Sequence, residues 1–170
     1  MGGNWELAIH FIAMKKPCNK LLKFMAIISF LIASHARSFA QTTGDEIIGT
    51  WMDEEKDGEI NIYKTGNTYA GKLIWMKEPN DPETGKPRLD KNNPDVKLHK
   101  QPLLGRDIMY GFVFVKADKE WADGKVYDGR SGKTYKSNLT LSPDKTLKLR
   151  GYIGAAWMGL GKTTTWTRVK

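Results

Sequence analysis

The sequence predicts an all-β protein, a single eight-stranded antiparallel up-and-down barrel with one long loop. Three observations support this. Eight strand-like segments are separated by turn signals, apart from one proline-rich stretch. Gly49-Thr50-Trp51 opens the first strand, so its indole can cover one barrel end. Trp166-Thr167-Arg168 ends the last strand, and Arg168 can stack over an indole face. Because the first and last strands of a closed barrel pair, we expect Trp51 and Arg168 to touch.

The first forty residues have the pattern of a secretory signal peptide. Four lysines between residues 15 and 23 precede an apolar run at 24–32, which is too short for a transmembrane helix. Ser38-Phe39-Ala40 then supplies the small residues that a signal peptidase reads. We therefore expect cleavage between Ala40 and Gln41, export to the periplasm or the medium, and a single barrel domain at 41–170.

Two further features of this leader bear on processing. Met14 is followed at once by lysines, so residues 1–13 are read as upstream of an alternative start. Cys18 is the single cysteine and lies before the apolar run, whereas a lipoprotein cysteine would follow it. Lipid anchoring is therefore not expected. The mature chain has no disulfide to stabilise it and must rely on its apolar core.

The charge of the mature chain is modest. Residues 41–170 hold 22 Lys and Arg against 18 Asp and Glu, a net charge of +4, compared with +8 for the whole chain. These charges alternate in sign along the sequence. A nucleic-acid-binding stripe is therefore not expected, and no transmembrane segment is expected in the mature chain.

The strands follow in order, each bounded by turn residues. Asp57-Gly58 marks the first hairpin turn, residues 65–67 turn the chain again, and residues 122–124 are predicted as a turn before the fifth strand. The Gly-rich stretch 154–161 is predicted as the last connection. The predicted strands are 47–53, 59–64, 68–77, 107–116, 125–128, 133–141, 146–153 and 163–169.

Residues 78–106 interrupt this rhythm. Five of the seven prolines lie there, so no strand of any length is expected. Asn93-Pro94 has the pattern of a helix start, which predicts one short helical turn near 95–98. A loop of this length is usually functional. The alternatives of a functional lid and a packed plug over one barrel end stay open.

Several motifs are better explained by structure than by chemistry. Residues 156–163 match a relaxed phosphate-loop pattern, but strand-like residues follow where a helix would be needed. Residues 53–57 resemble the start of a calcium loop, yet Lys64 stands where the bidentate acid belongs. His99 is the only histidine of the mature chain. No metal site and no cofactor are therefore expected, and a Ser/His/Asp triad would have to use His99.

Two sets of candidate site residues remain. Aromatic side chains could line a cavity or its rim, because ligand sites are mostly apolar; these are Tyr69, Trp75, Tyr110, Tyr135 and Trp157. Polar side chains cluster in the long loop and in the turn at 128–135. These are Asp90, Asn92, Asn93, Asp95, Asp128, Arg130 and Lys133. A carboxylate pair drawn from Asp90, Asp95, Asp107 and Asp128 would be the basis for catalysis.

Taken together, these motifs resemble the secreted bacterial family known as domain of unknown function 2147. The resemblance covers residues 47–169 and implies a lipocalin-like barrel exported to the envelope, with no established reaction or ligand. Gly129 departs from the family pattern, in which proline is usual, and this affects only the turn. The matching motifs are Gly49-Thr50-Trp51, 90–95, 102–105, 121–128, 132–135, 149–154 and Trp166-Thr167-Arg168.

Three functions follow for comparison. The first is a binding module that holds a small apolar or amphiphilic molecule. The second is an envelope structural or interaction protein whose barrel core is filled. The third, which the sequence favours least, is a hydrolase-type enzyme that uses loop carboxylates. The volume and the lining of any cavity discriminate between the first two, and convergence of the aspartates would favour the third.

Overall fold

The computed structural model describes residues 43–154 and 160–169. Within them the chain forms a closed antiparallel barrel in which eight strands neighbour one another in sequence order and the last pairs with the first. The predicted fold class is therefore confirmed. The strands are β1 (Gly49–Met52), β2 (Gly58–Thr65), β3 (Thr68–Met76), β4 (Asp107–Val115), β5 (Glu120–Asp128), β6 (Lys133–Leu141), β7 (Leu147–Tyr152) and β8 (Gly161–Arg168).

The start of β5 differs most from the sequence prediction. The chain turns at 116–119 rather than at 122–124, so β5 is twice as long as expected. The Ala122-Asp123-Gly124 stretch forms a β-bulge, with Asp123 at a φ of 59°. A Cβ on Gly124 would lie 2.2 Å from the Phe112 ring. Asp-Gly suits a bulge as well as a turn because both need positive φ or close approach, which explains the error.

The first strand also begins later than predicted. Ile47 belongs to a 3₁₀ turn, Asp45–Ile47, which precedes β1 and buries the isoleucine completely. This turn lies at one end of the barrel together with the β2–β3, β4–β5 and β6–β7 turns, because antiparallel strands return alternately to each end. We call it the closed end. The β1–β2 and β5–β6 turns and the long loop at 77–106 lie at the opposite end, which we call the loop-covered end.

The closed end is sealed by two tryptophans whose polar atoms are satisfied. Trp51 Nε1 donates to the Ile47 carbonyl at 2.8 Å, and Trp121 Nε1 donates to the Gly44 carbonyl at 2.9 Å. Both indoles are buried. Gly44 has a φ of 87° and lies so close to Phe114 that a Cβ would be 2.7 Å from its ring. Only glycine therefore suits this position.

Arg168 joins β8 to this seal. Its guanidinium carbon lies 4.3 Å from the centre of the Trp51 ring, and the two residues are directly paired between β1 and β8. The guanidinium also donates to the Ile48 carbonyl at 2.8 Å and to the Glu46 carbonyl. The expected contact between Trp51 and Arg168 is present, and the same side chain holds the N-terminal segment against the barrel.

The apolar core fills the barrel from this end. Its side chains belong to all eight strands and to the 3₁₀ turn, so every strand is held by burial as well as by its ladder. Trp166, predicted at the closure, is one of them and is 6% exposed. The core comprises Ile47, Trp51, Ile60, Ile62, Tyr69, Met109, Phe112, Trp121, Leu139, Leu147, Leu149 and Trp166.

The long loop is irregular but folded. Two isolated bridges, Asn80↔Pro87 and Leu89↔Pro102, close it into two successive turns. A 3₁₀ turn, Val96–Leu98, confirms the predicted helical turn, although Asp95 caps it by accepting the Lys97 N–H at 3.0 Å. Asn93 instead accepts the Asp95 N–H at 2.9 Å and bends the chain around the proline between them.

Candidate functional site

A cleft of about 600 Å³ lies at the loop-covered end, between the long loop, the β1–β2 hairpin and the β5–β6 turn. The strands fix its walls, because β3 leads into the loop and the two hairpins project beside it. Charged side chains of both signs surround a smaller apolar group. The lining residues are Glu55, Asp57, Met76, Lys77, Glu78, Asp81, Arg88, Leu89, Lys91, Asn92, Leu103, Gly129 and Arg130.

Arg130 crosses the mouth of the cleft from the β5–β6 turn to the β1–β2 hairpin. Its guanidinium donates to Glu55 at 2.9 Å and to Asp57 at 2.5 Å. The hydrogen bond that Arg130 donates to Glu55 is the main reason why the pKa of Arg130 lies above its usual value. Because Arg130 and Glu55 are largely exposed, these ion pairs are screened by solvent and are exchanged at low cost.

Two more ion pairs line the cleft from the long loop. Arg88 Nη2 lies 2.8 Å from Glu78 Oε2, and Lys91 Nζ lies 3.5 Å from Asp81 Oδ2. The pKa of Asp81 lies below its usual value, chiefly because its carboxylate accepts the backbone N–H of Thr84. Charges of opposite sign therefore alternate along this wall.

The apolar part of the lining comes from Met76, Leu89 and Leu103. Leu103 packs against the β5–β6 turn, where a Cβ on Gly129 would lie 2.5 Å from its Cδ2. One backbone hydrogen bond joins Arg88 to this side of the loop, because its carbonyl accepts the Leu103 N–H at 2.9 Å. The charged wall and the apolar wall are therefore fixed relative to each other.

A buried carboxylate anchors the loop beside the cleft. Asp90 is 0% exposed and accepts hydrogen bonds from the Tyr127 hydroxyl and from Asn93 Nδ2, the latter at 2.7 Å. Arg106 Nε lies 3.3 Å from its second oxygen, as a charge contact without hydrogen-bond geometry. The Asp90 N–H donates to the Gln101 carbonyl at 2.9 Å. One side chain thus ties both halves of the loop to β5.

The hydrogen bond between Tyr127 and Asp90 also affects the pKa of Tyr127. Burial, and then its hydrogen bond to Asp90, raise the pKa of Tyr127 to about 12. Ionising this phenol would place a second negative charge against a buried carboxylate. The hydrogen bond from Tyr127 to Asp90 therefore requires a neutral tyrosine.

The predicted aromatic residues do not gather in one cavity. Tyr69 lies in the core, where its hydroxyl donates to Asp45 at 2.6 Å. Trp75 and Tyr110 are 40% and 39% exposed. Tyr135 lines a second cleft of about 570 Å³ with Lys133, Thr134, Lys136, Tyr152, Ile153 and Gly154. Trp157 lies outside the described residues.

The predicted polar residues are divided between the cleft and its support. Asn92 and Arg130 line the cleft and are joined, because Asn92 Nδ2 donates to the Arg130 carbonyl at 2.7 Å. Asp90 and Asn93 form the buried anchor. The remaining three act elsewhere: Asp95 caps the 3₁₀ turn, Asp128 accepts the Ser131 hydroxyl at 2.6 Å, and Lys133 lines the second cleft.

Sequence reasoning missed two kinds of site residue. Glu55 and Asp57 lie in the predicted first hairpin turn, and Glu78 and Arg88 lie in the predicted long loop. Only the closed barrel brings them to one end. Tyr127 lies within a strand beside other apolar residues, so nothing local marks it as a partner for Asp90. A buried aspartate in a proline-rich loop needs a hydrogen-bond donor, which a neighbouring strand can supply. This requirement is the one signal that could have indicated Tyr127.

The aspartates considered for catalysis do not converge. Asp90 is bound by Tyr127 and Asn93, Asp107 accepts the Tyr63 hydroxyl at 2.8 Å, and Asp128 is engaged within its own turn. His99 Nε2 lies 2.6 Å from the Asn93 carbonyl and supports the loop. Across residues 43–154 and 160–169, no three His, Cys, Asp or Glu side chains come together as metal ligands. No helix in these same ranges has the length and apolarity to cross a bilayer.

Comparison with known proteins identifies the family. Residues 49–168 match the family described as uncharacterized protein conserved in bacteria (DUF2147), and the chain belongs to it. Protein HP1028 from Helicobacter pylori, described as belonging to the lipocalin family, is similar in structure, with a TM-score of 0.62 and 23% identity. The match covers 73% of this chain and 83% of that one. No curated protein sequence matches significantly. The fold is therefore a lipocalin-like barrel.

Proposed function

We propose that this protein is an exported binding protein that holds a small amphiphilic molecule at the loop-covered end of its barrel. The observation that carries the proposal is the cleft of about 600 Å³ under the long loop. Ligand sites in proteins typically have volumes of roughly 300–1,000 Å³.

The lining favours an amphiphile over a wholly apolar ligand. Four cations and four anions surround Met76, Leu89 and Leu103. An apolar molecule would desolvate these charges without replacing their partners. A charged or zwitterionic head could instead take the place of one partner in an exposed ion pair, which costs little. The apolar tail would then lie along Met76 and the two leucines.

Native mass spectrometry of the protein purified from its own source tests the proposal directly. We expect a bound amphiphile of a few hundred daltons, displaced by lysophosphatidylcholine below its micelle concentration. Arg88→Gln with Lys91→Gln should weaken binding of this probe. Lys97→Gln with Lys100→Gln, which changes the same charge on the same loop away from the cleft, should not. A chain that carries no adduct and ignores the probe would contradict the proposal.

Export is a separate part of the proposal and rests on residues 1–40. The basic region, the short apolar run and the Ser38-Phe39-Ala40 motif support it. N-terminal sequencing of the protein from the cell envelope or the medium should begin at Gln41. A chain there that begins at Met1 or Met14 would show that the leader is retained.

A filled-core interaction protein is the second candidate, and the closed end favours it. Trp51, Phe112 and Trp121 are at most 1% exposed and fill that half of the barrel. A protein with no bound molecule at the loop-covered end would then act through its outer surface. The absence of any adduct in the experiment above would favour this alternative.

A further inference from the structure

The positive charge of the barrel is concentrated on one side. From β5 to β8, residues 120–168 contain nine Lys and Arg and four Asp and Glu, whereas residues 49–115 contain ten and eleven. The later strands therefore carry the whole excess of positive charge within the barrel. Neighbouring strands form one continuous surface, so this excess lies on adjacent parts of the wall.

Two lysines face each other at the centre of this side. Lys125 on β5 and Lys136 on β6 are direct cross-strand partners. Both are exposed, while the neighbouring pair Gly124 and Ser137 is buried, so the lysines lie on the outer face. Like charges placed directly opposite each other destabilise a sheet. The pair therefore costs stability in the isolated protein.

Acidic side chains do not neutralise the pair. Three cations of the cleft, Arg88, Lys91 and Arg130, each lie within 4.0 Å of a carboxylate. In the described part of the chain, Lys125 and Lys136 form no such ion pair. Glu120, an acid at the start of β5, accepts a hydrogen bond from Asn138. Arg150 on β7 pairs with Asn138 across β6 and β7 and extends the basic face.

Exposed apolar side chains border these lysines. Tyr110 on β4 is the direct neighbour of Lys125 and is 39% exposed. Val113, on the same strand, is 43% exposed. Lysines with adjacent aromatic and aliphatic side chains suit the boundary between lipid headgroups and acyl chains. A nucleic acid would use the charges and leave the apolar border in water.

We propose that the outer face of β4–β7, centred on Lys125 and Lys136, docks the protein onto an anionic membrane surface. We call it the basic face. Anionic headgroups would supply the counter-charge that the barrel lacks, and Tyr110 would enter the headgroup layer. This binding mode does not depend on a ligand in the cleft at the loop-covered end.

Vesicle sedimentation tests the basic face. The protein is purified from its own source in its processed form. It is then mixed with vesicles of phosphatidylcholine alone or of phosphatidylcholine with 30% phosphatidylglycerol. We expect binding to the anionic vesicles only, and its loss as salt rises. Lys125→Gln with Lys136→Gln should weaken binding by roughly tenfold or more, since each lysine near an anionic surface contributes about fivefold.

Matched controls separate this face from general charge. Lys97→Gln with Lys100→Gln removes two charges from the long loop and should change binding by less than twofold. The Lys125 and Lys136 variant should also melt at the same temperature as the wild type or higher, because the repulsion is removed. Equal binding by the two variants, or by both kinds of vesicle, would overturn the proposal. Capture by a soluble polyanion such as dextran sulfate without vesicle binding would overturn it too.

Discussion

The two ends of this barrel are closed in physically different ways. At the closed end, Trp51 and Trp121 are buried and each indole N–H reaches a backbone carbonyl. At the loop-covered end, one buried carboxylate, Asp90, holds a long loop, and the surrounding charges are exposed ion pairs. Apolar burial gains free energy by excluding water. Exposed ion pairs gain little and are exchanged readily.

This difference explains why the site lies at one end only. A seal made of indoles has no polar group left to offer a ligand, and opening it would expose a large apolar area. At the loop-covered end, a charged group of a ligand can replace one partner of an exposed ion pair. The loop that carries these charges is held by only a few buried contacts. Stability therefore concentrates at the closed end, and binding is expected at the other.

The largest expected effect comes from removing the seal. Trp51→Ala should lower the free energy of unfolding by about 3–5 kcal/mol, because the side chain is fully buried and its hydrogen bond to Ile47 is lost. Trp75→Ala removes the same side chain from a position that is 40% exposed and should cost less than about half as much. Urea denaturation of both variants measures the difference. Equal losses in the free energy of unfolding would mean that the closed end does not contribute more stability than the exposed site of Trp75.

Breaking the loop anchor should have a smaller and more local effect. In Asp90→Asn, an amide NH₂ would face Asn93 or Arg106, which are both donors. We expect a loss of about 2–4 kcal/mol in the stability of the loop. Hydrogen exchange should accelerate at the amides of Asp90, Asn93 and Leu103, which are bonded within the loop. The core strands should keep their protection.

Asp95→Asn is the matched control for this change. Asp95 also lies in the loop, but it caps the 3₁₀ turn, and asparagine caps as well as aspartate does. It should therefore leave the exchange rates unchanged. Acceleration in the control equal to that in Asp90→Asn would show that any loss of charge opens the loop, and that Asp90 is no special anchor.

Some of this contrast could be predicted from the sequence. Gly49-Thr50-Trp51 and Trp166-Thr167-Arg168 are local motifs at fixed places in the first and last strands, and pairing of these strands brings them together. The sequence therefore predicts the closed end. It does not predict the loop-covered end, because the parts of that end are separated by up to 75 residues, as are Glu55 and Arg130. No local pattern in either segment indicates the other.

The turn at 122–124 and the aromatic set show a second limit of sequence reasoning. Asp123-Gly124 has the composition of a turn, but Phe112 packs onto Gly124 and requires a bulge there. Aromatic side chains on strands alternate between core and surface, and a bulge changes which face they take. Tyr69 lies in the core, whereas Tyr110 lies on the surface. The register between neighbouring strands depends on contacts between distant parts of the chain, so local composition does not determine it.

Alkaline pH should weaken the Tyr127–Asp90 anchor of the loop-covered end. The pKa of Tyr127 is about 12 in the folded protein, against 10.0 ordinarily, so folding favours the neutral phenol. Its contribution is therefore fully present below about pH 10 and is lost as the pH rises through about 12. Between these values, the wild type should lose roughly 2–3 kcal/mol more stability than Tyr127→Phe does.

Urea denaturation of both proteins at intervals from pH 9 to pH 12 measures this difference. Absorbance at the wavelength of tyrosinate, compared between the two proteins, follows the titration of the same hydroxyl. The indoles of the closed end do not ionise, so exchange at the amides of β1 should change equally in both. Parallel stability curves for the wild type and Tyr127→Phe would exclude this role for the anchor.

The smallest expected effect lies within the seal itself and concerns how Arg168 acts. Its guanidinium lies over the Trp51 ring and also donates to the carbonyls of Ile48 and Glu46. Arg168→Ala removes both kinds of contact. In the Trp51→Ala background only the carbonyl contacts remain to be lost, so a double-mutant cycle isolates the contact with the ring. We expect a coupling free energy of about 0.5–1 kcal/mol, since Arg168 is exposed.

Arg168→Lys divides the two contributions in another way, because lysine keeps the charge but lacks the planar fork that reaches two carbonyls. It should retain most of the coupling to Trp51 and lose most of the remaining stabilisation. Should Trp51→Ala prove too unstable for the cycle, Trp51→Leu keeps the position apolar and still removes the ring. A coupling of zero with either partner would mean that Arg168 holds the N-terminal segment only through its carbonyls. The closed end would then resemble the loop-covered end more than its buried indoles suggest, because a polar side chain would be fastening its last strand.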